Sequence, residues 1–439
     1  MSLLSSPRAL RSLSLALILG ISALAGPAAA DNGDPVLPGV WRLSGSDPAL
    51  PMDDLKPLGK LIGNADVVAL GESIHTSGGF YEMKHRIFRY LVEEKGFRVF
   101  AFENPWIRAD AANQYVQTCQ GKPEDAVGLL SFYWQGTEVR DLLQWMCEWN
   151  LTHPKEKDRV HFMGFDIQSQ TLQNMSALIR FLVRIGVPTT DPLAVGLRRC
   201  DGVAQRFYPV AQYPEARYRE CEAALDATEA LFALQEPSIV EQTSAEDLAW
   251  ARLHLIGQQA WQEQIYLYSR NSPQRWYEVR DAGMAYAFQA IRELRFPGEK
   301  VAIWAHNHHI ARHSTEYYGG YTIMGTLLEE QLGEDYVPIA LTSHEAWVDF
   351  SFIYCGPDDP AGENAVERRL HELGEGYLLV DLDIPPGHAP FLAPGEVVEL
   401  SHSPMVPSRH FDGIVYLDVS PRMTPLFLPS ACSEEGAPF

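Results

Sequence analysis

The sequence predicts an α/β protein with a mostly parallel β-sheet flanked by helices and a helical insertion packed over the sheet. Several short apolar runs end in glycine or in an acidic or histidine residue, as buried parallel strands do. Amphipathic segments of helical period separate the first runs. A long stretch of mostly helical pattern, residues 170–296, interrupts the series and is interpreted as the insertion.

The first thirty residues predict a secretory signal peptide. Arg8 and Arg11 give a positive start, an apolar stretch follows, and small residues precede a cleavage site near Ala30. A membrane anchor is the weaker alternative, because the apolar stretch is shorter than the roughly 20 residues that a spanning helix needs. We therefore expect residues 1–30 to be removed and the protein to be periplasmic or secreted.

Charge and composition narrow the class of partner. The formal net charge is −22, which argues against nucleic acid because phosphate contacts require a basic surface. No later segment is apolar for long enough to suggest membrane insertion after signal cleavage. A small-molecule substrate is the expected partner.

The chain contains six cysteines, and an even number in an exported protein favours disulfide bonds. Their spacings match neither a zinc ribbon nor a redox pair, so we interpret them as structural. Sequence alone does not select a pairing. The preferred set is Cys119–Cys147, Cys200–Cys221 and Cys355–Cys432.

The first elements of the domain form a strand–helix–strand unit. Residues 31–60, rich in Pro, Gly and Asp, are predicted to be an irregular lead-in to the main domain at 61–439. The strand "ADVVALGE" (65–72) precedes an amphipathic helix (80–96), and "FRVFAFE" (97–103) is the next strand. Such a unit implies a right-handed crossover and parallel strands.

The remaining strands follow the same pattern of short apolar runs. The last of them is predicted to close the sheet. They are "DRVHFMGFD" (158–166), "EKVAIWAHN" (299–307), "DYVPIAL" (335–341), "GYLLVDL" (376–382) and "FDGIVYLDV" (411–419).

Four predicted strands end in groups able to carry chemistry. In open α/β sheets, ligands bind beyond the carboxyl ends of the strands, so these groups should converge on one edge. Each also has an ordinary structural explanation, such as a helix cap or a hydrogen bond to a loop, and the convergence is therefore the stronger argument. The residues are Glu72 with His75, Glu103, Asp166, and His306 with His309.

The stretch "VAIWAHNHHIARH" (301–313) holds four histidines. If the strand ends near Ala305, His306 lies at the sheet edge and His309, three residues later, faces the same way. His308 and His313 are then expected to be bystanders on the surface.

Two kinds of hydrolytic chemistry fit these residues. The histidines and carboxylates could bind zinc, although no HExxH motif is present, or they could act as metal-free acids and bases. The sequence contains no GxSxG, GxGxxG or GxxxxGK[ST] motif, which argues against a standard α/β-hydrolase and against nucleotide-binding folds.

The order and spacing of several motifs resemble the erythromycin esterase family from about residue 60 to residue 420. The resemblance implies an α/β core in which a helical bundle forms one wall of a deep cleft. The motifs are "GESIH" (71–75), "EMKHRIFRYLVEEKGFRVFAFE" (82–103), "GFD" (164–166), the Arg-Asp pair at 280–281, "WAHNHH" (304–309) and "MGTLLEEQLGEDY" (324–336).

The resemblance also implies roles for individual residues. His75 would act as general base on water without a covalent intermediate, Glu72 and Glu103 would orient the histidine or the water, and His306 would polarise the carbonyl. No cofactor is expected, since characterised esterases of this family are not regarded as metalloenzymes. We assign substrate binding to His309, Lys84, Asp166 and Arg280.

The segment after the proposed base departs from the family pattern. Members usually have glycine after the GExxH histidine, whereas this chain has Thr76, Ser77, Gly78 and Gly79. The difference bears on substrate choice, so macrolides are one candidate among esters and lactones. The alternatives are a metal-dependent hydrolase with the same cleft and a non-catalytic cell-envelope binding protein.

Overall fold

Ten strands form one mixed sheet in the part of the chain that the computed structural model describes. All described residues belong to one compact unit. The predicted signal peptide, residues 1–30, lies outside them. The described residues are 35–168, 171–206, 213–316, 319–350, 354–358, 362–383, 395–428 and 430.

The strands have the following bounds: β1 (Pro35–Leu37), β2 (Val40–Arg42), β3 (Val67–Leu70), β4 (Val99–Pro105), β5 (His161–Asp166), β6 (Val301–Trp304), β7 (Tyr336–Asp349), β8 (Cys355–Pro357), β9 (Tyr377–Asp381), β10 (Val398–Leu400), β11 (Ser403–Met405) and β12 (Gly413–Ser420).

The sheet has the strand order β1-β2-β9-β12-β7-β3-β6-β4-β5, with β8 paired to β7. The run from β12 to β5 is parallel throughout. The strands β9, β2 and β1 extend one edge in antiparallel fashion, and β10 and β11 form a separate hairpin. The predicted fold class, a mostly parallel sheet flanked by helices, is confirmed.

The helices have the following bounds: α1 (Lys56–Ile62), α2 (Gly78–Lys95), α3 (Trp106–Thr118), α4 (Pro123–Val127), α5 (Thr137–Thr152), α6 (Thr171–Arg184), α7 (Pro192–Arg206), α8 (Glu215–Gln242), α9 (Ala245–Ser269), α10 (Pro273–Arg295), α11 (Asn307–Ile310), α12 (Met324–Leu332), α13 (Val366–His371) and α14 (Pro407–His410). Among the described residues, no helix combines the length and apolar character needed to cross a bilayer.

Both faces of the sheet are buried, which explains the continuous apolar runs in its strands. In β3, Val67 and Ala69 belong to one core, together with Phe288 of α10. Val68 and Leu70 belong to the opposite core, which α2 also lines. Successive side chains alternate between the two cores, so every residue of the strand must be apolar.

The helices α6 to α10 occupy the sequence between β5 and β6. Helices α6 to α9 enclose a core of their own, to which Leu178, Phe232 and Leu248 contribute. Helix α10 packs on α9 and on β5. The insertion is therefore held against the strand that ends in Asp166, one of the predicted site residues.

The prediction of an irregular lead-in is wrong for residues 35–42. These residues form β1 and β2, and β2 pairs with β9 through Val40 and Val380. Strands of three residues are too short to show an alternating pattern, so their formation depends on a partner strand remote in sequence.

The cysteines follow the preferred pairing only in part. Cys119 and Cys147 form a disulfide across 28 residues. Cys355 is disulfide-bonded, and its expected partner Cys432 lies outside the described residues. The predicted Cys200–Cys221 disulfide is absent: both residues are buried thiols in the core of α6 to α9. A hydrogen bond from Cys200 lowers the pKa of Cys221, so packing holds this pair in contact without a covalent bond.

Candidate active site

Three neighbouring strands are in register near their carboxyl ends, which brings the first site residues together. Leu70 of β3 and Phe102 of β4 both pair with Trp304 of β6. The residues that follow these positions therefore lie at one edge of the sheet. The backbone at Gly71 passes close to the side chain of Asn307. A Cβ at this position would lie 1.9 Å from Asn307 Oδ1, so the position requires glycine.

Glu72 is fully buried, and its carboxylate is held by three donors. Oε1 accepts a hydrogen bond from Nδ1 of His75 at 2.5 Å. Oε2 accepts from Nζ of Lys84 at 2.8 Å and from the indole N–H of Trp304 at 2.9 Å. The carboxylate is thereby fixed in position and directed at the imidazole of His75.

The His75 imidazole lies between Glu72 and the cavity. In the neutral ring Nδ1 carries the hydrogen and donates a hydrogen bond to Glu72, so the lone pair is on Nε2. The rings of Tyr133, Trp134 and His306 surround it, with centroids at 5.1, 5.2 and 5.5 Å. A histidine oriented by a buried carboxylate, with its second nitrogen available, has the geometry of a general base.

Glu103 lies near the carboxyl end of β4 and is also nearly fully buried. Its carboxylate accepts from Nη2 of Arg280 at 2.6 Å and from the backbone N–H of His306 at 3.0 Å. Burial by itself raises the pKa of Glu103, but His309 in its protonated form, the Arg280 guanidinium and the His306 N–H hold that pKa well below its usual range. Glu103 is therefore ionised at any physiological pH.

Arg280 of α10 links the helical insertion to the strand ends. Besides Glu103, its guanidinium donates to both carboxylate oxygens of Asp166, at 3.3 and 3.0 Å, and to Nε2 of His309 at 2.9 Å. The nearby carboxylates raise the pKa of Arg280 against the effect of burial. Arg280 thus donates four hydrogen bonds to protein groups. This fits a role in positioning Glu103, Asp166 and His309 better than the predicted direct contact with substrate.

His309 is held from both sides. Its Nδ1 donates to Asp281 at 2.7 Å, and Nε2 accepts from Arg280, so the ring is neutral in this arrangement. Burial lowers the pKa of His309, but Asp281 and Glu103 raise it to above its ordinary value. A proton gained on Nε2 would break the contact with Arg280 and face Glu103 Oε1, 3.5 Å away.

His306 presents one nitrogen to the cavity. Its Nδ1 accepts the backbone N–H of His308 at 3.2 Å, so the neutral ring carries its proton on Nε2. Burial and the neighbouring histidines hold the pKa of His306 well below its ordinary value. The ring is therefore a neutral donor, suited to stabilising negative charge on a carbonyl oxygen.

Lys84 lies behind Glu72 and is completely buried. It is not among the cavity-lining residues, which does not fit the predicted contact with substrate. Burial lowers the pKa of Lys84 to about 8, against the opposing effect of Glu72. The residue remains mainly charged at neutral pH and holds Glu72 in place.

A cavity of about 590 Å³ opens above these groups. The 3₁₀ turn Phe132–Trp134 forms one wall, and α9 and α10 of the helical insertion form another through Trp261, Trp276 and Tyr277. His308 also lines the cavity, so its assignment as a surface bystander is wrong: the short helix α11 turns it back toward the site. His313 is half-exposed and lies 3.5 Å from Glu329, outside the cavity lining.

The structure thus brings His75, Glu103, Asp166, Arg280, His306 and His309 to one cavity, with Glu72 and Lys84 behind His75. Sequence reasoning missed Trp304, the aromatic walls and Arg108. Trp304 lies within the "WAHNHH" motif, which was a usable signal, but nothing in the local sequence marks the others as parts of the cavity.

Comparison with known proteins identifies the family of this chain. The family model described as Erythromycin esterase matches residues 92–420. The chain belongs to the erythromycin esterase family. It is 24% identical over 345 residues to Erythromycin esterase type II of Escherichia coli, covering 74% of this chain and 79% of that protein.

Two solved structures share the fold of this erythromycin esterase family member. A Bacillus cereus protein gives a TM-score of 0.73 at 22% identity, covering 88% of this chain and 96% of the other. A mutant of erythromycin esterase EreC in its open conformation gives 0.70 at 18% identity, with 86% and 96% covered. Membership of the family supports a hydrolase of this type with a small-molecule substrate.

Proposed function

We propose that this family member is an exported hydrolase that cleaves an ester or lactone with water activated by His75. The observation that carries the proposal is the contact of His75 Nδ1 with the buried Glu72 carboxylate at 2.5 Å, in a ring that also lines the cavity. This arrangement leaves Nε2 as the proton acceptor, and Glu72 stabilises the imidazolium that forms.

The reaction follows from the placement of the two histidines. A water molecule loses a proton to His75 Nε2 while its oxygen adds to the carbonyl carbon. The carbonyl π electrons move to oxygen, which accepts a hydrogen bond from His306 Nε2–H. Collapse of this intermediate re-forms the carbonyl and breaks the bond to the alcohol oxygen, which takes the proton from His75. An acid and an alcohol result.

The proposal includes no covalent enzyme intermediate. Among the described residues, no serine or cysteine lies within hydrogen-bond distance of His75, so an activated nucleophile of the serine-hydrolase type is not part of the arrangement. Water is the nucleophile that fits the geometry.

A metal cofactor is not part of the proposal. Among the described residues, no group of three or more His, Cys, Asp or Glu side chains is arranged to hold a metal ion. The guanidinium of Arg280 lies among Glu103, Asp166 and His309, where it would repel a cation. We expect hydrolysis to persist after dialysis against EDTA. Loss of activity that stoichiometric zinc or manganese restores would favour the metal-dependent alternative.

Export is proposed from the predicted signal peptide, and the Cys119–Cys147 disulfide supports an oxidising compartment. Fractionation of a cell expressing the full-length chain tests it. We expect the mature protein, starting after Ala30, outside the cytoplasm. A protein that keeps its N-terminus and stays with the cytoplasmic fraction would contradict export.

The mechanism is tested by His75→Asn, assayed against a panel of esters, lactones and macrolides. We expect kcat/KM to fall by about 10²–10⁴-fold, the usual contribution of a general base, with the thermal midpoint little changed. His313→Asn is the matched control, because His313 lies outside the cavity lining. A folded His75→Asn variant with full activity would rule out the assigned base.

A further inference from the structure

Arg108 is a cavity-lining cation that the proposed chemistry does not use. It lies in the first turn of α3, two residues after Trp106, and is half-buried. Among the described residues, no carboxylate lies within ion-pair distance of its guanidinium, and no side chain or backbone group of theirs forms a hydrogen bond with it.

The other two cations of the site differ from Arg108 in this respect. Arg280 is bound to Glu103 and Asp166, and Lys84 is bound to Glu72. Each of these cations therefore has a carboxylate partner within the protein. Among the described residues Arg108 has no such partner, and it lines the same cavity as His75 and His306.

The cavity that Arg108 lines also offers aromatic surface, which bears on how strongly its guanidinium attracts an anion. The cavity walls carry flat aromatic side chains, and Phe132 and Tyr133 contact each other with ring centroids at 3.9 Å. The lining also contains polar groups, including the carboxylates of Glu103 and Asp166, which are paired with Arg280. Beside the aromatic part of the wall the local dielectric constant is lower than in water, which strengthens the attraction between a guanidinium and an anion. A guanidinium offers a planar fork of donors that matches a carboxylate in two parallel hydrogen bonds.

We propose that Arg108 forms an anion-binding subsite and that the substrate is an ester or lactone with an ionised carboxylate and an apolar or aromatic body. This inference rests on the proposed hydrolytic function, because it names the substrate class of the same cavity. The aromatic walls receive the body of the substrate, and the carboxylate binds Arg108. A cationic substrate is disfavoured, since the guanidinium of Arg108 would repel its charge.

The kinetic test uses two esters that differ only in charge, 3-(4-acetoxyphenyl)propanoate and 3-(4-acetoxyphenyl)propanamide. We expect the wild type to favour the carboxylate. In Arg108→Gln, the ratio of kcat/KM for the carboxylate to that for the amide should fall by about 10- to 100-fold, the range for hydrogen bonds to a charged group. Arg108→Lys should fall between the two, because it keeps the charge without the fork.

Arg180→Gln is the matched control. Arg180 is exposed and lines a different cavity, beside β5, so this variant removes the same charge without altering the proposed subsite. We expect its ratio to stay within about twofold of the wild type, as for other remote surface substitutions. A fall equal to that of Arg108→Gln would show a general charge effect and overturn the subsite.

A binding measurement tests the anion-binding subsite even if neither ester is hydrolysed. Titration with 1-naphthaleneacetate and 1-naphthaleneacetamide, followed by tryptophan fluorescence, measures the charge preference directly. Binding of the acetate that Arg108→Gln weakens selectively supports the subsite, and with no hydrolysis it counts against the proposed function alone. Hydrolysis without charge preference, or equal binding of both probes, overturns the subsite and leaves the proposed function standing.

Discussion

Thr76, directly after the proposed base, has a backbone conformation that a threonine rarely adopts. Its φ is +64°, in the left-handed region, and its side chain is almost completely buried. Three contacts hold it there. Its N–H donates to the Tyr81 hydroxyl at 2.8 Å, its carbonyl accepts from Met423 N–H at 2.9 Å, and its hydroxyl accepts from Asp349 N–H at 3.3 Å.

These contacts allow a comparison of Thr76→Gly with Thr76→Ala. Both substitutions remove the hydroxyl, so its loss cancels when the two variants are compared. An L-residue in the left-handed region costs about 1–2 kcal/mol, which glycine avoids. Glycine loses about 0.5–1 kcal/mol more chain entropy than alanine on folding. We therefore expect Thr76→Gly to be more stable than Thr76→Ala by about 0.5–1 kcal/mol, the reverse of the usual order.

The assay is urea unfolding at neutral pH with the disulfide intact, followed by tryptophan fluorescence. The free energies of unfolding are compared for the two variants, provided that the dependence on urea concentration is the same for both. If the alanine variant is as stable as the glycine variant, or more stable, Thr76 carries no backbone strain and the reasoning is refuted.

Three further predictions concern the buried charges and the disulfide. Arg280→Met leaves Glu103 and Asp166 without their shared cation, and we expect urea unfolding to show a loss of about 3–5 kcal/mol; a loss below 1 kcal/mol contradicts the assigned network. Lys84 has a pKa of about 8 in the folded protein, below its ordinary value. The unfolded chain therefore binds more protons above that pH, and stability contributed by this group rises as the pH increases from about 8 to about 10.5. Lys84→Met should lack that rise, whereas an unchanged slope would show that Lys84 does not titrate there. Replacing Cys119 and Cys147 by alanine opens a 28-residue loop, with an expected loss of about 3–4 kcal/mol in thermal or urea unfolding; no change under non-reducing conditions would argue against the bond.

The positions of most site residues could be predicted because they follow a local rule. Each of four site residues lies within two positions of the carboxyl end of a strand, and the strands β3, β4, β5 and β6 are neighbours in the order β3-β6-β4-β5. The residues are Glu72, Glu103, Asp166 and His306. Parallel neighbours end on the same side of a sheet, so strand ends recognised in the sequence had to meet.

The contacts of these residues could not be predicted in the same way. The sequence suggested that Lys84 and Arg280 bind substrate, yet both are bound to carboxylates within the protein. Charge and proximity to a motif do not show which way a side chain points. Packing of α2 and α10 on the sheet decides that.

The histidine-rich stretch shows the same division. A strand end near Ala305 correctly put His306 at the sheet edge, but the short helix α11 also turned His308 toward the cavity. The predicted Cys200–Cys221 bond failed for a related reason, since an even number of cysteines permits a pairing without requiring the geometry of a disulfide.

By itself, the sequence determined the fold class, the strand ends that carry Glu72, Glu103 and Asp166, and the resemblance to the erythromycin esterase family. These depend on apolar periodicity and motif spacing, which are local properties of the chain. Only the tertiary structure decided that Glu72 orients His75, that Arg280 is occupied by Glu103 and Asp166, and that Arg108 faces the cavity without a carboxylate partner among the described residues. The physical reason is that each of these depends on distances between side chains far apart in sequence, which are fixed only when helices and strands pack.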